Sequence, residues 1–499
     1  MNNHVNRNPD VLTALANLSS DEISTPPKLA KEVISLLPEE LFSNPEAKFL
    51  DPVSKTGVFL REITKKLLVG LEKEIPDQQD RINHILTNQV YGIGITELTS
   101  LISRRTLYCS QEANSEFSIC NQFDDNQGNI IYKNLEHKWK NDKCSVCGIR
   151  RSIYDRDDDL EQYAYPFIHF EDTEEILNMK FDVIIGNPPY QLETGGGAYN
   201  KKASPIYHHF INTAKAMNPS YLSMIIPSRW MGGVRGLEDF KNDMLSDGKL
   251  KQLVDYENSK EVFSGPDIPG GICYFLWDKN YSGKCKISSV SNKKVTESER
   301  DLSEFDILIR FEEAYNIVNK VKSKTNNFMI DIVSSSTPFG LITSERPDQS
   351  GDCIMLSSSG RGPIKSSRIT RGHDLIEKYK VITSKASHDH AGRPDKDGKR
   401  RVLSRLEILH PGEVCTQSYV VVGAFDTSAE AENQIKFLKT KFARFLISTL
   451  SFTQDIYKRV FGFVPLVEFN QEWDDAKLNK LFSLTKSEVN FIDSKIKEM

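Results

Sequence analysis

Apolar positions along the chain recur first with a helical and then with a strand period. After the loop Thr25-Pro26-Pro27, residues Leu29, Val33, Ile34 and Leu37 mark one face of a helix, which Pro38 stops. The apolar run that follows enters Asp51-Pro52-Val53-Ser54-Lys55-Thr56-Gly57-Val58-Phe59-Leu60, which reads as a strand, a glycine-containing turn and a helix continuing to Leu71. A second strand is predicted over 89–93, a second helix over 97–107, a third strand over 165–170 and a fourth over 181–186. Apolar runs at 222–226 and 271–277 extend the same sheet. Strands separated by helical stretches make βαβ units, so the expected class is α/β with a mostly parallel sheet.

Two stretches break this rhythm. Residues 109–159 are polar and rich in Asn and Asp, and read as an insertion; a polar linker near Lys320 leads into a β-like, basic region whose helical segments begin near Ser428. The expected organisation is a polar arm over 1–20, a first domain over 21–325 carrying the insertion, and a mixed α+β domain over 326–499.

With 499 residues and 38% hydrophobic composition the chain is long enough for two or three packed domains. A mean hydropathy of −0.44, without any run approaching the ~18 apolar residues of a membrane span, rules out such a span. The polar, Asn-rich start has no secretory pattern, and eight unevenly spaced Cys fit a reducing compartment, so a cytoplasmic location is expected. Net charge is −5, yet residues 361–410 hold thirteen Lys/Arg against six acids, a local +7 that leaves −12 for the rest. A basic segment on an acidic body suits a protein that meets phosphates with one face; a solvated loop has the same composition.

The segment Phe181-Asp182-Val183-Ile184-Ile185-Gly186-Asn187-Pro188-Pro189-Tyr190 is the most informative. A buried strand ends at Gly186, and the next four residues fall at the carboxyl edge of the sheet, where open α/β proteins place ligands. There the Asn187 amide oxygen and the Pro188 carbonyl can accept both hydrogens of an exocyclic amine while Tyr190 stacks on its ring.

Asn187 to Tyr190 resembles motif IV of amino-group methyltransferases that use S-adenosylmethionine. Thr25-Pro26-Pro27 is similar to motif X, residues 51–60 to motif I, residues 91–107 to motifs II and III in part, and residues 221–230 and 262–278 to the later strands. The order X, I, IV, then a recognition domain, resembles gamma-class N6-adenine DNA methyltransferases, and in particular the methylase regions of type IIG restriction-modification proteins. The resemblance implies a Rossmann-like methyltransferase sheet, a C-terminal target-recognition domain, double-stranded DNA as substrate, and a separately encoded nuclease or helicase subunit as partner. It makes Asn187, Pro188 and Tyr190 catalytic, and assigns Thr25, Pro26, Asp51, Pro52, Gly57, Phe59, Glu97 and Asp172 to the cofactor. Two positions depart from the family: Lys55 stands where motif I has its first glycine, and Gly94 where an acid accepts the ribose hydroxyls, which leaves Glu97 to substitute. No Pro-Cys pair is present for ring-carbon methylation.

Cys109, Cys120, Cys144 and Cys147 fall in the insertion, and Cys144-Ser145-Val146-Cys147-Gly148 is a zinc-knuckle-like pattern. Two readings stand: a structural zinc held by four thiolates, with His137 as a substitute ligand, or four unrelated thiols. In the basic region Arg393, Lys399, Arg400 and Arg401 are candidate phosphate contacts. Two other function classes remain open, methylation of RNA adenine or protein glutamine, and a catalytically silent DNA-binding specificity subunit.

Overall fold

The computed structural model describes residues 23–151, 164–169, 179–193, 203–233, 236–263, 268–291, 293–389 and 394–499. The chain divides between Asp306 and Ile307 into two compact units. Helix Glu312–Lys324, which the sequence reading left with the first domain, packs within the second, where Lys320 pairs with Glu488.

The first unit is built on nine strands: β1 (Phe49–Ser54), β2 (Val90–Gly94), β3 (Ile130–Ile131), β4 (Val183–Gly186), β5 (Tyr221–Pro227), β6 (Leu250–Tyr256), β7 (Ile272–Asp278), β8 (Cys285–Ser291) and β9 (Lys294–Arg300). They form one mixed sheet in the order β9-β8-β6-β7-β5-β4-β1-β2-β3. Strands β3, β2, β1, β4 and β5 run parallel to one another, and β7 runs antiparallel between β5 and β6. β1 and β4 are buried along their whole length, as expected of parallel strands covered on both faces. From β1 the chain steps outward to β2 and β3, then returns to the other side of β1 to make β4. The order therefore reverses between β1 and β4, the kind of switch point at whose carboxyl edge open α/β sheets bind ligands.

Helix α1 (Pro27–Ile34) starts with Pro27 in its first turn and buries Leu29, Ala30, Val33 and Ile34. Helix α2 (Val58–Gly70) follows β1 directly; α3 (Gln78–His84) and α4 (Glu97–Tyr108) flank β2, and α4 opens on a reciprocal cap between Thr96 and Thr99. No helix among the described residues is long and apolar enough to cross a membrane.

The third strand is not where the sequence pattern put it. Residues 166–169 form a helical turn, α5 (Pro166–His169), with Pro166 at its first position, and β3 is the two-residue Ile130–Ile131 at the sheet edge. The polar stretch 109–159 is thus only partly an insertion, since it contributes an edge strand. Within it a small hairpin pairs Trp139–Lys140 with Lys143–Cys144. Helices α6 (Tyr207–Ala216) and α7 (Glu238–Ser246) complete the unit.

The second unit combines two three-stranded sheets with helices. β10 (Cys353–Ser357) lies between β11 (Gly360–Ile364) and β14 (Glu413–Cys415), while β12 (Tyr379–Ser384) lies between β13 (Leu406–Leu409) and β15 (Tyr419–Phe425). Phe339, Met355, Ile364, Ile382, Val414 and Val421 share one core cluster drawn from both sheets. Helices α8 (Glu312–Lys324), α9 (Ser428–Lys439), α10 (Lys441–Thr449), α11 (Asp475–Leu481) and α12 (Lys486–Lys495) make up the rest, and Phe442, Phe445 and Phe461 are buried among them as amphipathic core.

Candidate functional site

Asp51 lies on β1 and Asn187 directly follows β4, the two neighbouring strands that flank the switch point. Asp51 is buried on β1, with Oδ1 accepting from the Val53 amide at 3.1 Å. Burial pushes its carboxyl up to about 7, against the opposing pull of the Val53 amide and of Lys55. Gly186 makes this approach feasible, because a Cβ there would come within 2.9 Å of Asp51 Oδ1.

Asn187 is likewise buried. Its Nδ2 donates to the Ile23 carbonyl at 3.0 Å and to Thr25 Oγ1 at 3.1 Å. A carbonyl oxygen only accepts, so the Ile23 contact fixes which end of the amide is nitrogen and aims Oδ1 the other way. That Oδ1 is buried and has no protein partner. The Tyr190 and Tyr207 hydroxyls are also buried without one. Burial pushes the Tyr190 phenol above its ordinary value, so it stays protonated. Buried polar atoms left unpaired cost about 1–3 kcal/mol each, and three in one chain segment and its neighbour mark a place prepared for a polar ligand. Pro188 and Pro189 are buried beside them.

Lys55 has a role its composition did not signal. Its buried ammonium donates to the same Ile23 carbonyl at 3.2 Å. One backbone oxygen thus joins the segment ahead of Thr25, the loop after β1 and the loop after β4. Lys55 therefore stands in for a glycine by swinging its side chain toward the N-terminal segment.

Gly57 caps α2 in the left-handed region at φ 68°, and a Cβ there would meet Leu107 Cδ1 at 3.0 Å and Ser103 Cα and O at 3.2 Å. Both the backbone conformation and the α2–α4 approach require glycine. Gly57→Ala is expected to lose about 1–2 kcal/mol from the backbone alone, and more from the contact. A urea titration of the full chain measures this; an unchanged midpoint would show that α4 can yield.

Gly94 is explained in the same terms: a Cβ would lie 2.6 Å from Ser100 Cβ on α4. An acid cannot occupy that position, and Glu97, exposed on the first turn of α4, is the nearest acid beyond it. Pro52 is buried on β1, while Thr25 is buried and Pro26 half-buried just ahead of α1. Phe59, 2% exposed, packs in the same buried apolar cluster as Tyr190. Asp172 lies outside the described residues, and the reason for choosing it is gone, since β3 ends at Ile131 rather than before residue 172.

The four expected thiolates are not brought together. Cys144 and Cys147 cluster with His137 and His169. Cys109 is exposed at the end of α4, and Cys120 is buried in the apolar core. Burial pushes the Cys147 thiol up to about 12 and the His137 imidazole down to about 4.

In the second unit the basic stretch is largely neutralised internally. Arg361 pairs with Glu407 and Glu413, Arg368 with Glu345 and Asp348, and Arg405 with Glu407. Lys380 is buried against the Ile376 and His410 carbonyls. Arg400, with a side chain 13% exposed, pairs with Asp389 at 3.6 Å and donates to the Ser448 carbonyl. Its guanidinium holds the fold and is not presented to a phosphate, a correction to the sequence reading. Lys399 and Arg401 are half-buried, and Arg393 lies outside the described residues.

Comparison with known proteins bears on this geometry. The model of the Eco57I restriction-modification methylase family matches residues 88–263, from the approach to β2 past β6. A Mycoplasma pneumoniae protein described as an uncharacterized adenine-specific methylase is 38% identical over 326 residues, 60% of this chain and 77% of the relative. Among solved structures, the methyltransferase subunit of a type I restriction-modification system from Streptococcus thermophilus is 11% identical, over 64% of this chain and 57% of that chain, with a TM-score of 0.35. A DrdV–DNA complex is 11% identical over 89% and 55%, with a TM-score of 0.44. This chain thus spans little more than half the length of either of those structures. On the extent of the match to its Mycoplasma relative, this chain belongs to that protein's family of adenine-specific methylases, and residues 88–263 are its Eco57I restriction-modification methylase domain.

Proposed function

We propose that this chain is a DNA methyltransferase that moves a methyl group from S-adenosylmethionine to N6 of an adenine extruded from duplex DNA, in the cytoplasm and within a restriction-modification or related defence system. The observation that carries this reading is the buried, unpartnered Oδ1 of Asn187, whose amide is locked from behind by Ile23 and Thr25.

The adenine amine is a poor nucleophile because its lone pair is delocalised into the ring. Asn187 Oδ1 and the Pro188 carbonyl accept its two hydrogens, draw the nitrogen toward tetrahedral geometry and aim the lone pair outward. Tyr190 offers an aromatic face to the base, offsetting part of the few kcal/mol of unstacking. S-adenosylmethionine would supply the methyl group, its carbon–sulfur electron pair staying with sulfur as the N6–carbon bond forms, and N6 then loses one of its two protons to solvent. Asp51 fits its ammonium, being an acid buried on β1 beside the loop that follows, and the glycine-dependent turn at Gly57 leaves backbone for close approach. Thr25, Pro26 and Pro52 border the same loops, and Glu97 is the acid that would accept the ribose hydroxyls. The second unit, residues 307–499, acts as the target-recognition domain, with Lys399 and Arg401 retained as candidate phosphate contacts and a separately encoded nuclease or helicase subunit as partner.

Incubating the protein with labelled S-adenosylmethionine and mixed-sequence duplex DNA tests the reading directly. N6-methyladenine at one recurring motif is the expected product. Cofactor binding without incorporation would redirect the search to RNA adenine or protein glutamine, and absence of cofactor binding would favour the silent specificity subunit. Lys55 adds a second expectation. Lys55→Met removes the ammonium that shares the Ile23 carbonyl with Asn187, and a charge-assisted hydrogen bond is worth about 1.5–3 kcal/mol. We expect kcat to fall roughly tenfold, and cofactor affinity at pH 7 to fall as well because Asp51 loses the Lys55 charge that favours its ionised form, as single-turnover and equilibrium binding measurements would show.

A further inference from the structure

We infer that the segment between α4 and β4 binds a structural zinc ion through His137, Cys144, Cys147 and His169. Their ligand atoms lie within 4.8 Å of one another. In a tetrahedral zinc site with bonds near 2.3 Å to sulfur and 2.0–2.1 Å to nitrogen, neighbouring ligand atoms stand about 3.3–3.8 Å apart. Cys147 Sγ is 3.4 Å from His137 Nδ1, and Cys144 Sγ is 3.5 Å from His169 Nε2. Two edges of that tetrahedron are therefore already formed.

The local backbone is also that of a metal knuckle. Cys144 ends the hairpin and its amide donates to the Ile149 carbonyl at 2.7 Å, while the Gly148 amide returns to the Cys144 carbonyl at 3.0 Å. Gly148 turns the chain at φ 73° with open space around it, so glycine serves the backbone alone. His169 is oriented from behind, its Nδ1 lying 3.0 Å from the Tyr165 carbonyl, which leaves Nε2 for the metal. Two thiolates and two neutral imidazoles balance a +2 charge and fill all four positions, so the ion is structural and has no open site for chemistry.

The ion would fasten the hairpin to α5. On α5 Phe167 stacks on Phe210 of α6, and the neighbouring Tyr165 meets the same ring edge-on. Zinc would thereby brace the helix that begins at Tyr207, a neighbour of the loop after β4. This inference does not depend on the reaction proposed above, because its readout is metal content.

The full chain, purified from zinc-supplemented medium, should carry one zinc per molecule by atomic absorption. Cys109→Ser and Cys120→Ser should keep it; Cys144→Ser, Cys147→Ser and His169→Ala should lose it. Reconstitution of the wild-type chain with Co2+ should give the intense visible absorption of tetrahedral cobalt and a thiolate-to-metal band, so the test survives if a ligand variant fails to fold. A metal-free wild type that shows no tetrahedral cobalt spectrum would overturn the assignment, as would loss of zinc on replacing Cys109 and Cys120 with retention on replacing His169.

Discussion

Replacing Asn187 by alanine is expected to lower methyl transfer at least about a thousandfold while leaving cofactor affinity within about twofold. Losing one preorganised partner of a developing charge costs about 2.7–4 kcal/mol, or 10²–10³ in rate, and here the lost oxygen also orients the nucleophile. The variant should fold, because the Ile23 carbonyl keeps Lys55 as a donor. Asn187→Asp separates the roles of the two ends of the amide. It keeps an acceptor but removes the donor to Ile23 and Thr25, setting a carboxylate oxygen against a carbonyl oxygen in a buried place. Its rate should also collapse. Retention of a third or more of the wild-type rate in Asn187→Ala, with the product still N6-methyladenine, would remove this side chain from the reaction.

The parts of the molecule legible in its sequence are those where burial dictates residue type over a whole element. β1, β4, β5 and β7 are apolar runs bounded by turn residues, and each is found where the run is. β3 was not legible, because two isoleucines in an Asn-rich stretch leave no period to read, whereas Tyr165 to His169 has strand composition and forms a helical turn because Pro166 fits its start. The same contrast separates parts of the site. Asn187 stands out in the sequence because it opens four consecutive residues that match one motif directly after a buried strand. Lys55 did not, since its partner is a backbone carbonyl 32 positions away. Half of the His/Cys cluster is visible in the sequence as Cys144 and Cys147, with His137 as a substitute, but no spacing rule points to His169, which only the fold brings to Cys144. Arg400 shows the limit of charge counting, since a basic run says nothing about which guanidinium is turned inward to Asp389.

Cofactor affinity should depend on pH through Asp51, with the strongest binding between about pH 7 and pH 8. Burial raises this carboxyl to about 7 in the ligand-free protein, and only its ionised form attracts an ammonium. Below pH 7 binding must first remove the proton, so the dissociation constant should rise about tenfold per unit. Above about pH 8 a free α-amino group begins to lose its own charge, which weakens binding from the other side. Stability of the ligand-free protein should run the opposite way. A folded value above the unfolded one means that the stabilising contribution is complete below about 3.8 and is lost as pH rises through about 7. Between pH 8 and pH 6 this group alone therefore favours the folded state at the lower pH, by about 1.4 kcal/mol per unit once below its midpoint. Asp51→Asn should flatten both dependences and weaken binding throughout. Calorimetry in buffers of different ionisation enthalpy should detect about one proton released per cofactor bound at pH 6 and almost none at pH 8. An affinity constant across pH 6 to pH 7.5, or a slope that survives in Asp51→Asn, would mean that the cofactor's ammonium is held by another group.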